Sequence, residues 1–134
     1  MELGRFFIDD EAGRIQMPIV SNPSDLDVDA VVTQFSNKNG VVCLCVEPAP
    51  DFGPYELVLY ADSGNFFLML NQYLNDGDIE VETITNHKAG MAQVKILGDF
   101  YAANSITRDI DFICICFKEF LKTGDISSES FVLS

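Results

Sequence analysis

YELVLYADSGNFFLMLNQYLNDGDIEVETIT, residues 55–85, consists of three apolar runs interrupted twice. The interruptions, DSGN (62–65) and NDGD (75–78), have the composition of tight hairpin turns, because Gly, Asn and Asp tolerate the left-handed backbone such turns require. The runs between them (55–61, 66–73 and 79–85) have strand length and are rich in β-branched and aromatic residues. In the last run Ile79, Val81, Thr83 and Thr85 share one face and Glu80, Glu82 and Ile84 the other, which is the two-residue period of a strand. The stretch predicts an antiparallel β-meander. MAQVKIL (91–97), beyond the polar NHKAG, predicts a further strand of it.

Upstream, RFFID (5–9) and EAGRIQMPI (11–19) read as two short strands around a turn at Ala12-Gly13. A helix is expected over 24–36. Ser24 can cap it, Asp25 and Asp27 suit its first turn, and Leu26, Val28, Val31, Val32 and Phe35 recur at helical spacing before the Asn39-Gly40 stop. VVCLCVE (41–47) is apolar on both faces and predicts a central strand covered on both sides, ended by Pro48 and Pro50. The segment 47–56 is then a loop. FICICF (112–117) alone has strand composition, but Phe112, Ile113, Cys116, Phe117, Phe120 and Leu121 form a helical stripe. Asp109 and Asp111 suit the start of that helix, and Lys118, Lys122 and Thr123-Gly124 its end, so 109–122 is read as helix. The tail 125–134 can dock or stay loose. The outline is a single-domain α+β fold, an antiparallel meander sheet with helices packed on one face.

Length and composition bound the function. A chain of 134 residues buries enough surface to need neither disulfide nor metal staple. Its apolar runs are too short to span a bilayer, and Asp9, Asp10 and Glu11 stand where a signal peptide needs an apolar segment. A cytoplasmic protein with reduced cysteines is expected. Twenty-one acids against eight bases give a formal charge of −13 and a pI near 4.1. Such a surface repels nucleic acid and anionic membranes; it serves solubility or a basic protein partner.

Chemistry-bearing motifs are sparse. The four cysteines stand in two Cys-x-Cys pairs embedded in Val, Leu, Ile and Phe. Cys43 and Cys45 share one face of a strand, whereas Cys114 and Cys116 lie about 200° apart on a helix. Without turn residues or charge beside them, all four are read as small core hydrophobes, with no metal and no cofactor. His87 reads as a solvated loop residue. DLDVD (25–29) opens like a calcium loop but has Ala30 where glycine is needed and Ser36 at the twelfth position. GDFYAAN lacks the glycines and the Lys-Ser/Thr pair of a phosphate loop. No enzymatic motif is present, and a non-catalytic protein is expected.

The acids themselves are the remaining candidates. Asp76, Asp78, Glu80 and Glu82 crowd NDGDIEVE, Asp62 sits in the other turn, and the loop brings Asp51, Phe52, Tyr55 and Glu56. Aromatics mixed with acids make a binding rim, and these nine residues are the predicted partner-binding set. Two like charges at i, i+2 on one strand face repel, which is tolerated in water or exploited against a cation.

LVLYADSGNFFLMLN (57–71) and LGDFYAANSITRDIDFICICFKEFLKTGDIS (97–127), within a small acidic α+β chain, resemble immunity proteins of contact-dependent growth inhibition and related polymorphic toxin systems. The resemblance covers 55–128 and rests chiefly on Gly98-Asp99, Thr107 to Asp109, and Phe117, Phe120, Leu121 and Gly124. It implies a stoichiometric inhibitor, made in the cytoplasm, that binds a cognate toxin domain, a basic one such as a nuclease, and blocks its active site or substrate access. Two other readings remain: an acidic adaptor, or nucleic-acid mimic, for a different basic partner, and an enzyme that uses scattered acids forming no motif. Paired carboxylates in a cleft, with pKa values pushed apart, would mark the second.

Overall fold

The computed structural model describes residues 1–9 and 11–133. Along the chain run β1 (Glu2–Asp9), β2 (Gly13–Gln16), β3 (Val20–Ser21), α1 (Asp25–Thr33), β4 (Gly40–Cys45), β5 (Gly53–Asp62), β6 (Asn65–Tyr73), β7 (Ile79–Thr83), β8 (Thr85–Asn86), β9 (Gln93–Ile96), β10 (Asp99–Ala102), β11 (Ile106–Thr107), α2 (Ile110–Thr123) and β12 (Val132–Leu133). Eight strands form one antiparallel sheet in the order β11-β6-β5-β4-β1-β2, with β7 also on β6 and β3 also on β1. The meander predicted from 55–85 is its β5-β6-β7 part. Ser63 and Gly64, at φ of +53° and +79°, make the two-residue turn whose twist matches the flanking strands.

Both helices pack on one face of the sheet, so the α+β architecture is the expected one. Leu3, Val42, Leu44, Leu57, Leu59, Leu68 and Leu70 point into that core from the strands, meeting Val28, Val31 and Val32 of α1 and Ile113, Cys116, Phe117 and Phe120 of α2. Each large side chain buried there stabilises the fold by roughly 1.5–3 kcal/mol relative to exposure. The segment 109–122 is helical because both ends are capped. The Asp109 side chain accepts from the Phe112 amide at 3.1 Å, and Gly124, at φ +77°, donates its N–H to the Phe120 carbonyl. Ser24 and Asp27 close a reciprocal capping box on α1. Asp29 of α1 pairs with Lys118 of α2 at 3.2 Å, a half-exposed contact that adds little beyond orientation. No described helix is long and apolar enough to cross a membrane.

Four expectations need correction. The second strand stops at Gln16: Gly13–Gln16 pairs with one end of β1 and Val20–Ser21 with the other, and Pro18, which lacks an amide donor, lies in the break. The run 79–85 divides after Thr83, because Thr85 and Asn86 pair in parallel with the tail strand β12. MAQVKIL does not extend the meander; β9 pairs with β10 in a separate hairpin, burying Ile96 against Phe67 and Ile106 on the face away from the helices. Finally, β4 is not covered equally on both sides. Gly40, Val42 and Leu44 are buried under the helices, while Val41, Cys43 and Cys45 face the other way and are only half-buried. The β9-β10 hairpin shields the Phe67 end of that second face and leaves the cysteine end open.

Candidate functional site

Register places the residues of the open face in rows. Glu2, Cys45, Glu56, Asn71 and Val81 are successive cross-strand partners, and Gly4, Cys43, Val58, Met69 and Thr83 form the next row. Side chains paired directly across antiparallel strands lie on the same face. Cys43 and Cys45, two residues apart on β4, therefore converge on Glu56 of β5. Their Sγ atoms are 2.8 Å apart, and Glu56 Oε2 lies 3.4 Å from Cys43 Sγ and 3.9 Å from Cys45 Sγ. Asn71 Nδ2 donates to Glu56 Oε1 at 2.7 Å. Asn71 is 6% exposed, and its Oδ1 has no partner among the described residues.

The electrostatics of the thiol pair follow from this geometry. The shared hydrogen bond holds the Cys45 thiol below its ordinary range and pushes Cys43 well above it, and burial and the Glu56 charge raise both. Cys114 and Cys116 behave as expected of core thiols. Burial pushes them up to about 11 and about 12, and they stay protonated. The space-filling reading thus describes the helix pair, while the strand pair belongs to a polar cluster on the open face.

The nine predicted partner-binding residues divide among four places. Asp62 is structural: its Oδ2 accepts from the Leu97 amide at 2.9 Å, tying the β9-β10 hairpin to the β5-β6 turn. Glu56 belongs to the thiol cluster. Asp51, Phe52 and Tyr55 stand at the start of β5, where Tyr55 stacks on Tyr73 with ring centroids 4.1 Å apart. Asp76, Asp78 and Glu80 stand at the same end of the sheet, because Gly53 and Ile79 both pair with Tyr73. Asp76 also shapes its turn by accepting from the Asp78 amide. Asp51, Asp76, Asp78 and Glu80 are exposed. With them are Phe52, Ile79 and Val81, exposed by 66%, 58% and 51%. Asp62 lies at the far end, as alternate turns of a meander must.

Glu82 is half-buried, and its carboxyl is raised above the usual range, first by burial and then by Asp125 and Glu80. A raised folded-state pKa means that the ionised carboxylate opposes folding. That opposition is absent below the unfolded pKa and complete above the folded one. Glu82→Gln is therefore expected to raise Tm at pH 7, with the gain vanishing near pH 4 and below, where the carboxyl is protonated in both states. Thermal melts at the two pH values check it.

Sequence reasoning missed Asn71 and the grouping of the thiols with Glu56. The alternation of Val42 and Leu44 with Cys43 and Cys45 carried a signal, but the partner across the ladder depends on register. His87 is exposed, as expected of a loop residue.

The fold is shared with a solved structure. A hypothetical protein from Neisseria gonorrhoeae, known from its crystal structure, is similar at 32% identity and a TM-score of 0.83, over 95% of this chain and 90% of that one. No curated protein matches. A family of unknown function, DUF6911, matches residues 1–130, and the chain belongs to that family.

Proposed function

We propose that this protein captures a basic protein partner at the acidic end of its sheet, and that it serves as an immunity protein neutralising a cognate toxin domain. The observation that carries the reading is the exposure of Phe52, Ile79 and Val81 among Asp51, Asp76, Asp78 and Glu80. No Lys or Arg occurs between Lys38 and Lys88, so no basic residue from β4 to β7 neutralises this end of the sheet. Apolar contacts within an acidic rim suit a partner whose basic face surrounds apolar anchors. The resembling residues support the immunity reading separately. Most of them build the scaffold: Asp109 and Gly124 cap α2, and Phe117 and Phe120 fill the core. The partner face lies elsewhere on the chain, which lets one scaffold serve different toxins.

The test is co-purification with the product of the adjacent upstream reading frame, followed by titration at low and moderate salt. A stoichiometric complex is expected. Reversing three exposed charges (Asp51→Lys, Asp78→Lys and Glu80→Lys) should weaken it by about 100-fold, mainly through slower association, and flatten its salt dependence. The absence of a complex at low salt, or a complex indifferent to the reversal, would overturn the assignment of this face.

A further inference from the structure

We infer that Cys43, Cys45 and Glu56 form a binding site for zinc or a similar thiophilic divalent cation, with a water molecule as fourth ligand and Asn71 as the residue that orients the carboxylate. Two thiols and a carboxylate are a donor set zinc accepts, and three protein ligands leave one position open. The three donor atoms all lie within 4.8 Å of one another. A tetrahedral zinc site places sulfur and oxygen ligands about 3.5 Å apart and two sulfurs about 3.8 Å apart. The sulfur–oxygen distances of 3.4 and 3.9 Å already match. The sulfurs, at 2.8 Å, need to separate by about 1 Å, which small χ1 rotations of two half-buried side chains provide.

Asn71 supplies an independent indication. A nine-tenths-buried amide that spends its N–H on Glu56 and leaves Oδ1 without a partner among the described residues is costly unless something donates to that oxygen. A metal-bound water is such a donor, and a carboxylate held by an amide is a common outer-shell arrangement. Access exists as well. Gly4, opposite Cys43, presents no side chain, and a cleft of about 190 Å³ lined by Gly4, Phe6, Arg14, Gln16 and Val41 opens beside the Cys43 thiol. The site is independent of the partner reading, since it needs only the isolated chain.

The experiment uses the reduced full-length protein, titrated with cobalt(II) as a spectroscopic probe and with zinc in competition. One equivalent should bind and give thiolate-to-cobalt charge-transfer absorption with the visible bands of four-coordinate cobalt. Cys43→Ser together with Cys45→Ser should abolish the signal, Asn71→Ala should weaken binding by about 10- to 100-fold, and Cys114→Ser should leave it unchanged. Zinc should also protect Cys43 and Cys45 of the wild-type protein from alkylation, which keeps the inference testable if a variant fails to fold. Absence of saturable binding at micromolar free zinc, or binding that survives loss of both thiols, would overturn it.

Discussion

Gly40→Ala is expected to cost about 3 kcal/mol or more, a large part of the stability of an ordinary domain. Gly40 opens β4 at the centre of the sheet, paired with Phe7 of β1 on one side and Ala61 of β5 on the other. A Cβ there would overlap the Phe6 carbonyl oxygen and stand 2.7 Å from Cε1 of Phe35. Neither neighbour can yield. Phe6 is held in the β1-β4 ladder, and Phe35 is fully buried and stacked on Phe7 with centroids 4.8 Å apart. Urea unfolding should show a lower midpoint with an unchanged slope. Gly4→Ala is the control: a Cβ at Gly4 meets nothing within 4 Å, so its midpoint should stay close to wild type. If the two variants unfold alike, the close approach of β1 to β4 at Gly40 is wrong.

The contrast between these glycines shows what the chain states locally and what it states only once folded. Turns, caps and helical stripes are local. The DSGN turn, the Ser24 cap and the Asp109 and Gly124 ends of α2 were readable because each needs only residues a few positions apart. The helix at 109–122 was resolved over a strand for that reason, its caps outweighing the β-leaning FICICF. Register is not local. Whether Cys43 meets Glu56 depends on how β4 slides against β5, and no stretch of either strand encodes that by itself. The strand 91–97 was recognised but given the wrong neighbour, because an alternating apolar run fits a meander edge and a separate hairpin equally well. Among the candidate site residues, exposure was readable from charge at Asp51, Asp78 and Glu80. The structural use of Asp62 depends on Leu97, a residue 35 positions away.

Phe131→Ala tests the largest feature that the sequence left open, the position of the tail. Phe131 is 2% exposed and belongs to the main core, and Ile126 is also buried there. The Phe131 carbonyl accepts from the Thr85 amide at 3.1 Å, just before β12 pairs in parallel with β8. The tail therefore closes the core below α2, next to the buried Ile84. Removing the ring should cost about 3–5 kcal/mol, the range for a buried aromatic truncated to alanine. Val132→Ala, at a residue 38% exposed, should cost far less. Deleting 126–134 removes both anchors and the β8 pairing, and should leave the chain largely unfolded at room temperature. Hydrogen exchange at the Thr85 amide adds a local reading, since its protection depends on the Phe131 carbonyl. A Phe131→Ala protein that melts like the wild type, with Thr85 protection unchanged, would mean that the tail is loose and that the core closes without it.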